Sequence, residues 1–350
     1  MTGSSNSDKG GIPRIAVDVM GGDFAPRELV RGAVEGAQQY GVQVLLVGDK
    51  SAVEAELQDL EVNGAAVTVV PSEGRIPEDE HPVMALRKNP RASVAVATGL
   101  IKEGKADAMV SMGSTGAAMA SAALGLGLFE GLERPCVGGP FVGLAPQTAI
   151  LDLGSNIDCR PHQLLSFAVM GCVFARKFFG IDNPRVGLLS VGKEEGKGNR
   201  LVREAYPLFK DSNLNFIGNL EGMDILTGKA NVVVCDGFVG NILLKFAEGL
   251  GDYTAAFLRE RLKGKLPDQE VEALAESIWD LNNQSRKMSG PFFGVNGNVI
   301  VGHGASRRQE VAGAIKTAKR CVELDLANSI RRELALFEAV IKTSQNVIQS

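Results

Sequence analysis

Short apolar runs alternate with longer amphipathic segments along most of the chain. Each run has the length of a strand buried on both faces, whereas the segments between the runs show helical spacing. The predicted strands lie at 15–19, 42–47, 66–70, 108–111, 149–153, 185–190, 231–235 and 299–301. The predicted helices lie at 26–40, 51–60, 93–102, 115–128, 162–179, 200–209, from 240 onward and at 307–326. This alternation predicts an α/β fold: an open, mostly parallel sheet with helices on both faces.

One segment, residues 243–288, departs from the alternation. It favours helix, is interrupted at Gly264 and Pro267 and contains no predicted strand, so we interpret it as a helical excursion from the main body. Apolar residues recur in it at helical spacing, which is typical of core or of a dimer interface. They are Leu243, Phe246, Leu250, Tyr253 and Phe257. We predict a disordered tail over 1–12 and a single catalytic domain over 13–345, with two lobes as the alternative.

Composition narrows the class of protein. The 350 residues include 42 glycines and 5% aromatics, which suits tight loops between strands and helices. The formal net charge of -4 does not favour nucleic acid as a partner. The five cysteines form no CxxC pair, so we predict no disulfide framework and no zinc ribbon. No clustered set of His and Cys ligands occurs in the sequence, so we predict no metal, and we expect no cofactor. No apolar run reaches about 18 residues and no signal peptide is evident, so we expect a cytoplasmic protein.

Glycine-rich loops follow five of the predicted strands. At the carboxyl end of a parallel strand, free backbone N–H groups attract anions, and parallel strands bring such loops to one edge of the sheet. The first loop holds Asp18, Gly21, Gly22 and Asp23. The second holds Gly113, Ser114, Thr115 and Gly116. Its amides and hydroxyls could surround a phosphate or a carbonyl oxygen, although a tight turn and an ordinary helix cap are the respective alternatives.

The remaining three loops carry charged and amide side chains. They contribute Lys193, Lys197 and Asn199; Asp236, Gly237, Asn241 and Lys245; and His303 and Gly304. Asn241 and Lys245 lie one helical turn apart and close to Asp236 in the chain, which makes this the strongest constellation. A lysine or histidine in such a loop can neutralise or hydrogen-bond an anion. The alternatives are a solvated loop for Lys193, a helix cap for Asp236 and a structural role for His303.

Several familiar catalytic signatures do not occur in the sequence. The chain has no GxGxxG after a strand, no GxSxG elbow and no HExxH, which disfavours a nicotinamide-dependent dehydrogenase, a serine hydrolase and a zinc enzyme. Cys235 ends a predicted buried strand with no histidine near it in sequence, so we do not expect it to act as a nucleophile. The loops favour an enzyme that binds a phosphate-like anion over a non-catalytic scaffold protein.

Taken in order, these loops resemble those of the bacterial phosphate acyltransferases of phospholipid synthesis, the PlsX family. The matching segments lie at 17–23, 110–118, 152–156, 193–199, 216–222, 236–245 and 303–304. The resemblance adds Asp152, Asn156 and Asn219 to the predicted substrate-binding residues. The chain departs from the family at Ser114, where asparagine is usual, and at Ala305, where serine is usual.

The resemblance implies a fold similar to the phosphotransacetylases and isocitrate dehydrogenases, and a homodimer. It implies reversible transfer of a fatty acyl group from an acyl carrier protein thioester to inorganic phosphate, which gives acyl phosphate for phosphatidic acid and phospholipid synthesis. A phosphate acetyltransferase acting on acyl-CoA is the alternative. The predicted catalytic residues are Asp236, Asn241, Lys245, Lys193 and His303, and the other loop residues are predicted to bind substrate.

The resemblance also implies partners and a mechanism. The acidic carrier protein is expected to dock on basic residues, and peripheral contact of the excursion with the membrane, or with a membrane glycerol-phosphate acyltransferase, is a further expectation. Candidate docking residues are Arg259, Arg261, Lys263, Lys265, Arg286, Lys287, Arg307 and Arg308. A thioester is already activated, so we expect direct attack by phosphate without an acyl-enzyme. On this hypothesis Asp236→Asn and Lys245→Ala each abolish most turnover.

Overall fold

The computed structural model describes residues 11–62 and 64–348 of the chain, so most of the predicted disordered tail lies outside the described residues. The strands are β1 (Arg14–Asp18), β2 (Gln43–Gly48), β3 (Val67–Pro71), β4 (Ala108–Ser111), β5 (Cys136–Pro140), β6 (Ala149–Leu151), β7 (Val186–Leu189), β8 (Phe216–Leu220), β9 (Val232–Val234), β10 (Gly290–Phe293) and β11 (Asn298–Val301). The helices are α1 (Arg27–Tyr40), α2 (Lys50–Gln58), α3 (Pro82–Lys88), α4 (Ser93–Lys102), α5 (Thr115–Gly125), α6 (Pro161–Phe174), α7 (Arg200–Lys210), α8 (Gly222–Leu226), α9 (Gly237–Leu262), α10 (Asp268–Asn282), α11 (Gln284–Met288), α12 (Arg308–Glu323) and α13 (Leu326–Ile348). A π-helical turn, Ala175–Phe179, continues α6.

These strands form an 11-stranded sheet in the order β3-β2-β1-β4-β11-β10-β5-β6-β9-β7-β8. Neighbours from β3 to β11 are parallel, and so are neighbours from β6 to β8. The pairings β11–β10, β10–β5 and β5–β6 are antiparallel. The two parallel groups therefore run in opposite directions, with β5 and β10 between them. The predicted open, mostly parallel sheet is confirmed.

The reversal corrects one expectation about the loops. Those after β1, β4 and β11 leave one edge of the sheet, whereas those after β6, β7 and β9 leave the other. The prediction that all five loops share one edge is therefore wrong, because the loop at 193–199 follows β7 and the loop that begins at Cys235 follows β9. The cause is the missed pair of central strands: β5 contains Gly138, Gly139 and Pro140, and β10 starts with Gly290 and Pro291, residues that are depleted in strands.

Helices cover both faces of the sheet, as predicted. Successive residues of β1 point to opposite faces, so Ile15 and Val17 enter one apolar core and Ala16 enters the other. The first core is completed chiefly by α1, α6, α7 and α12, and the second by α4, α5 and the first half of α9. Burial on both faces explains why the strands read as continuous apolar runs.

The segment predicted as a helical excursion contains most of α9 together with α10 and α11, and α9 and α10 are separated by residues 263–267. One face of α9 packs on the body through Leu244, Ala247 and Ala255. The opposite face carries exposed apolar side chains, which are Phe238, Ile242, Phe246, Leu250, Tyr253 and Phe257. The apolar spacing was interpreted as either core or a dimer interface, and this exposed face is not part of the core of the chain. Within 11–62 and 64–348, none of the helices is long and apolar enough to cross a membrane.

Candidate active site

A cavity of about 310 Å³ lies at the antiparallel centre of the sheet. Gly138 and Gly139 of β5, which have no side chains, line part of it. The loops after β4 and β11 contribute to one side, and the turn after β6 together with α9 contributes to the other. The remaining lining residues are Glu78, Gly113, Thr115, Val137, Pro140, Leu153, Gly154, Asn241, Leu244, Lys245, Ser285, Ser289, Gly290, Val301, Gly302, His303 and Gly304. Because β5 and β10 separate the two parallel groups, this position takes side chains from both.

Asp18 supports the first side of the cavity from below. It is buried, and its carboxylate accepts hydrogen bonds from the Ser111 hydroxyl at 2.8 Å and the Gly21 amide at 3.1 Å. The β1 loop thereby touches the β4 loop, since a Cβ added to Gly21 would lie 2.8 Å from the Cα of Gly113. Burial raises the pKa of the Asp18 carboxyl. Of these residues Gly113 lines the cavity, so Asp18 acts on its shape through the backbone.

The other predicted residues of the first two loops divide in the same way. Thr115 lines the cavity, whereas the Ser114 side chain accepts a hydrogen bond from the Ala117 amide at 3.4 Å as the cap of α5. The Asp23 amide donates to the carbonyl of Gly304 at 2.8 Å and so holds the histidine loop in place. Gly22 and Gly116 belong to these segments, but they do not line the cavity.

The first three turns of α9 supply the second side. Asn241 and Lys245 reach the cavity from one helical face, as their spacing predicts. The helix starts against the turn after β6, where buried Asp152 accepts hydrogen bonds from the amides of Ser155 at 3.0 Å and Asn156 at 2.6 Å. This turn presents Gly154 at φ 138, and a Cβ added there would lie 3.3 Å from Asn241. Asp152 and Asn156 thus position the helix start rather than line the cavity.

Lys245 and His303 line the cavity, and both contact a third side chain, Glu248, that the sequence did not single out and that does not line the cavity. The Lys245 Nζ lies 3.3 Å from His303 Nδ1 and 2.9 Å from Glu248 Oε2. The Glu248 Oε1 lies 3.1 Å from His303 Nε2. Burial would raise the pKa of the Glu248 carboxyl, but the contacts with His303 and Lys245 outweigh it and lower that pKa to about 2. Glu248 follows Lys245 by three residues, and that helical spacing is the signal that could have identified it.

The loop after β7 lies apart from the cavity. Lys193 is exposed and pairs with Asp224 at 3.4 Å and Glu221 at 3.6 Å, and these carboxylates raise its pKa. Asn199 caps α7 by accepting from the Val202 amide at 2.9 Å. The Asn219 amide donates to the carbonyl of Glu194 at 2.9 Å. Lys193, Lys197, Asn199 and Asn219 do not line the cavity, so the structure does not bring them together with Lys245. Their roles in substrate binding stay predictions.

Asp236 is the N-cap of α9, with its carboxylate accepting from the Val239 amide at 2.9 Å. Gly237 follows it, and a Cβ there would lie 2.8 Å from the backbone of Asn156. Neither residue lines the cavity. The structure therefore gives Asp236 the capping role that the sequence left as the alternative, while its catalytic role stays untested.

Asparagine caps a helix about as well as aspartate, so Asp236→Asn is expected to leave the free energy of unfolding within about 0.5 kcal/mol of wild type. Asp236→Ala loses the cap and is expected to cost about 1 kcal/mol. Urea denaturation measures both values. Turnover of the stable Asn variant then separates the two roles, because a cap alone predicts normal activity and a catalytic carboxylate predicts most activity lost.

Ser289, which the sequence did not single out, lines the cavity in a strained conformation. Its φ is 54 and its ψ is 158, its side chain is buried, and its Oγ has no hydrogen-bond partner among the described residues. Ser289→Gly is expected to raise the free energy of unfolding by about 1 kcal/mol, because glycine adopts positive φ without strain. Thermal denaturation tests this. Ser289→Ala keeps the strain and is the control, so an equal gain in both variants contradicts the argument.

Solved structures with similar folds define the class of protein. A phosphotransacetylase from Streptococcus pyogenes aligns with a TM-score of 0.58 and 19% identity, covering 90% of this chain and 95% of that one. The 4-hydroxythreonine-4-phosphate dehydrogenase from Klebsiella pneumoniae aligns with a TM-score of 0.52 and 14% identity, covering 89% and 98%. At these identities the likeness shows the fold alone, which hosts more than one chemistry. The chain has an α/β fold similar to that of the phosphotransacetylases.

Sequence relatives identify the family. The phosphate acyltransferase of Pelotomaculum thermopropionicum is 42% identical over 329 residues, which cover 93% of this chain and 96% of that protein. The phosphate acyltransferase of Nostoc sp. is 42% identical over 333 residues, with 93% and 97% covered. The fatty acid synthesis protein family matches residues 13–329, and the chain belongs to it. The resemblance predicted from the loops is confirmed.

Proposed function

We propose that this chain transfers a fatty acyl group from an acyl carrier protein thioester to inorganic phosphate. Membership of the family, with relatives named phosphate acyltransferase, supports acyl transfer to phosphate. The observation that carries the proposal is the position of Lys245, whose exposed ammonium lies beside Asn241 and His303 in the cavity. Backbone amides of the glycine loops line the same space, so the site offers charge and hydrogen-bond donors to an oxyanion.

The reaction that follows from this geometry is a direct displacement. A phosphate oxygen attacks the thioester carbonyl carbon, the C–O bond forms, and the C–S bond breaks as the thiol leaves. Lys245 holds the phosphate close to the carbonyl, which removes much of the entropic barrier. Preplaced donors such as the Asn241 amide stabilise the oxyanion of the tetrahedral intermediate. The small acyl acceptor needs little space, while Val137, Leu153 and Leu244 provide apolar lining beside it.

A covalent route through Cys235 has no support. The thiol is buried, and burial raises its pKa well above the usual range, so the nucleophilic thiolate is scarce at neutral pH. Its Sγ donates to the carbonyl of Asp152 at 3.6 Å, on the far side of the turn that carries Gly154. We therefore retain direct attack by phosphate.

The exposed apolar face of α9 supports a homodimer as the assembly. Phe246 and Tyr253 are 68% and 72% exposed, and contiguous apolar surface of this kind usually mediates an interaction. Phe246→Asp is expected to convert dimer to monomer in analytical ultracentrifugation. A wild-type monomer would contradict this assignment.

Membrane contact of the excursion is tested separately. Flotation of the wild type with liposomes is compared with flotation of Leu262→Glu, which changes the last residue of α9.

Docking of the carrier protein is proposed on the basic residues of the excursion. Some of them are already engaged, since Arg259 pairs with Glu272, and Lys287 pairs with Asp280. Lys263 and Lys265 are exposed next to the break between α9 and α10. Charge reversal at these two lysines is expected to weaken carrier-protein binding and reduce its salt dependence.

One assay tests the proposed function. Purified protein is mixed with long-chain acyl carrier protein and labelled phosphate, and acyl phosphate is followed with time. The expected result is acyl phosphate formation that far exceeds the rate with acetyl-CoA as donor. Equal or faster turnover of acetyl-CoA would favour the phosphate acetyltransferase alternative, and no product from either donor would overturn the proposal.

A further inference from the structure

Glu248, Lys245 and His303 form a closed ring of polar contacts at the edge of the cavity. Each side chain touches both others, at 2.9 Å for lysine and glutamate, 3.1 Å for glutamate and histidine, and 3.3 Å for lysine and histidine. Lys245 and Glu248 belong to α9, whereas His303 belongs to the loop after β11. The ring therefore joins the two sides of the cavity, which come from opposite groups of strands.

The partners fix the proton positions on the imidazole. A lysine ammonium has only donors, so Nδ1 of His303, which faces Lys245, accepts a hydrogen bond. A glutamate carboxylate has only acceptors, so Nε2, which faces Glu248, carries the hydrogen and donates it. In this tautomer the lone pair of Nδ1 lies next to Lys245, and Nε2–H lies toward Glu248 Oε1 at 3.1 Å.

Burial distinguishes Glu248 from its two partners. Its side chain is 10% exposed, compared with 26% for His303 and 55% for Lys245. Glu248 therefore cannot leave the ring for solvent, whereas Lys245 has room to turn toward a phosphate. The loop backbone is also held, since the amide of His303 donates to the hydroxyl of Ser306 at 3.2 Å.

We propose that Glu248 is a positioning residue that holds the His303 ring with Nε2–H toward itself and Nδ1 free to act as the base. This inference rests on the proposed function. When Lys245 turns to phosphate, Nδ1 accepts the phosphate proton as the phosphate oxygen forms its bond to the carbonyl carbon. The same proton then passes to the sulfur as the C–S bond breaks, so the imidazole returns to its starting state and no other reactant is consumed.

Other charged side chains lie near the ring formed by Glu248, Lys245 and His303. A Cβ added to Gly304 would lie 3.5 Å from Glu78 Oε1 and 3.6 Å from Asp23 Oδ1, so both carboxylates approach the histidine loop. Lys245 and Glu248 lie closer to His303, and Arg75, which donates to the carbonyl of Gly22 at 3.2 Å, is a further charged side chain near this loop. Glu248 differs from Glu78 and Asp23 because it contacts the ring directly.

The test compares Glu248→Gln with wild type by kinetics and by NMR. Glutamine keeps the shape but removes the charge that stabilises the imidazolium, so kcat is expected to fall by roughly 10- to 100-fold with the KM for phosphate changed less than about threefold. In ¹⁵N-histidine-labelled protein, which contains three histidines, the ¹⁵N shifts of wild-type His303 are expected to report a hydrogen on Nε2, whereas Glu248→Gln is expected to mix the two tautomers, with assignment by His303→Gln.

Asp107→Asn is the matched control. Asp107 is also a mostly buried carboxylate in an ion pair, with Arg14 at 2.9 Å, but it lies before β4, far from the cavity. We expect this variant to lose stability with unchanged turnover per folded molecule. If Glu248→Gln behaves like the control, with kcat and the His303 signals unchanged, the inference is overturned while the proposed function stands. If wild type makes no acyl phosphate, the proposed function fails, and the ¹⁵N shifts still test the contact between Glu248 and His303.

Discussion

Lys245→Ala is expected to lower kcat/KM for phosphate by roughly 10²- to 10³-fold, which corresponds to about 2.7–4 kcal/mol of transition-state stabilisation. The ammonium is exposed in the cavity, so its removal leaves the phosphate without a charged partner there. It also leaves Glu248 with His303 as its remaining partner in the ring. Because the side chain contributes little to packing, stability is expected to change far less than activity. Steady-state kinetics with labelled phosphate, together with thermal denaturation, measures both effects.

Lys102→Ala provides the control for the loss of a lysine, since Lys102 is exposed in the last turn of α4. We expect wild-type kinetics from it. Lys193→Ala is the informative comparison, because the sequence predicts a catalytic role and the structure places Lys193 in ion pairs with Asp224 and Glu221. A large loss in Lys193→Ala with a small loss in Lys245→Ala would move the site to the loop after β7 and contradict the cavity as the active site.

The parallel parts of the fold were predictable because a strand that is buried on both faces has apolar residues at nearly every position. The runs that became β1, β2, β4 and β11 are short and apolar, and nearly every residue in them is buried. The central strands could not be predicted in the same way. β5 consists of Cys136, Val137, two glycines and a proline, and its burial comes from close backbone approach rather than from apolar side chains. Because β5 and β10 were not predicted, the reversal of direction between the two groups of parallel strands could not be predicted either.

The candidate site was predictable where function depends on local spacing. Asn241 and Lys245 reach the cavity together because they lie one turn apart on a helix that begins at the end of a strand. Gly113, Thr115, His303 and Gly304 also line it, as loops at strand ends lead one to expect. Glu248 was missed although its spacing from Lys245 places the two on one helical face, because its contact with His303 depends on which elements meet across the sheet. Ser289 was missed because its positive φ leaves no signal in the sequence. Lys193 shows the converse, because local composition cannot reveal that nearby carboxylates already engage it.

Buried carboxylates show why the motif residues divide into two kinds. Asp18 and Asp152 sit at strand ends with little exposure, and each accepts several backbone hydrogen bonds from the loop that follows it. Such a residue fixes a glycine loop in the shape that faces the ligand without touching the ligand itself. A sequence motif that looks like a single binding loop therefore contains residues with two different roles. Some support the loop by hydrogen bonds, and others line the cavity. This separation also predicts where substitutions are most harmful to the fold.

Gly240→Ala is expected to destabilise the protein by about 3 kcal/mol or more, the largest effect on stability that we predict. Gly240 lies in the first turn of α9, and a Cβ there would overlap the carbonyl oxygen of Asp152. Backbone cannot move aside as a flexible side chain can, so the helix start must shift away from the turn after β6. That shift displaces Asn241 and Lys245, and turnover is expected to fall together with stability. Urea denaturation and the acyl phosphate assay measure the two losses.

Gly249→Ala in the same helix is the matched substitution. Nothing lies within 4 Å of a Cβ added at Gly249, so alanine is expected to stabilise the helix by about 0.5–1 kcal/mol through its higher helix propensity. Opposite signs from two identical changes nine positions apart would show that the contact with the Asp152 carbonyl, rather than helix propensity, governs Gly240. If Gly240→Ala keeps wild-type stability and turnover, α9 does not begin against that carbonyl, and the placement of Asn241 and Lys245 in the cavity loses its structural basis.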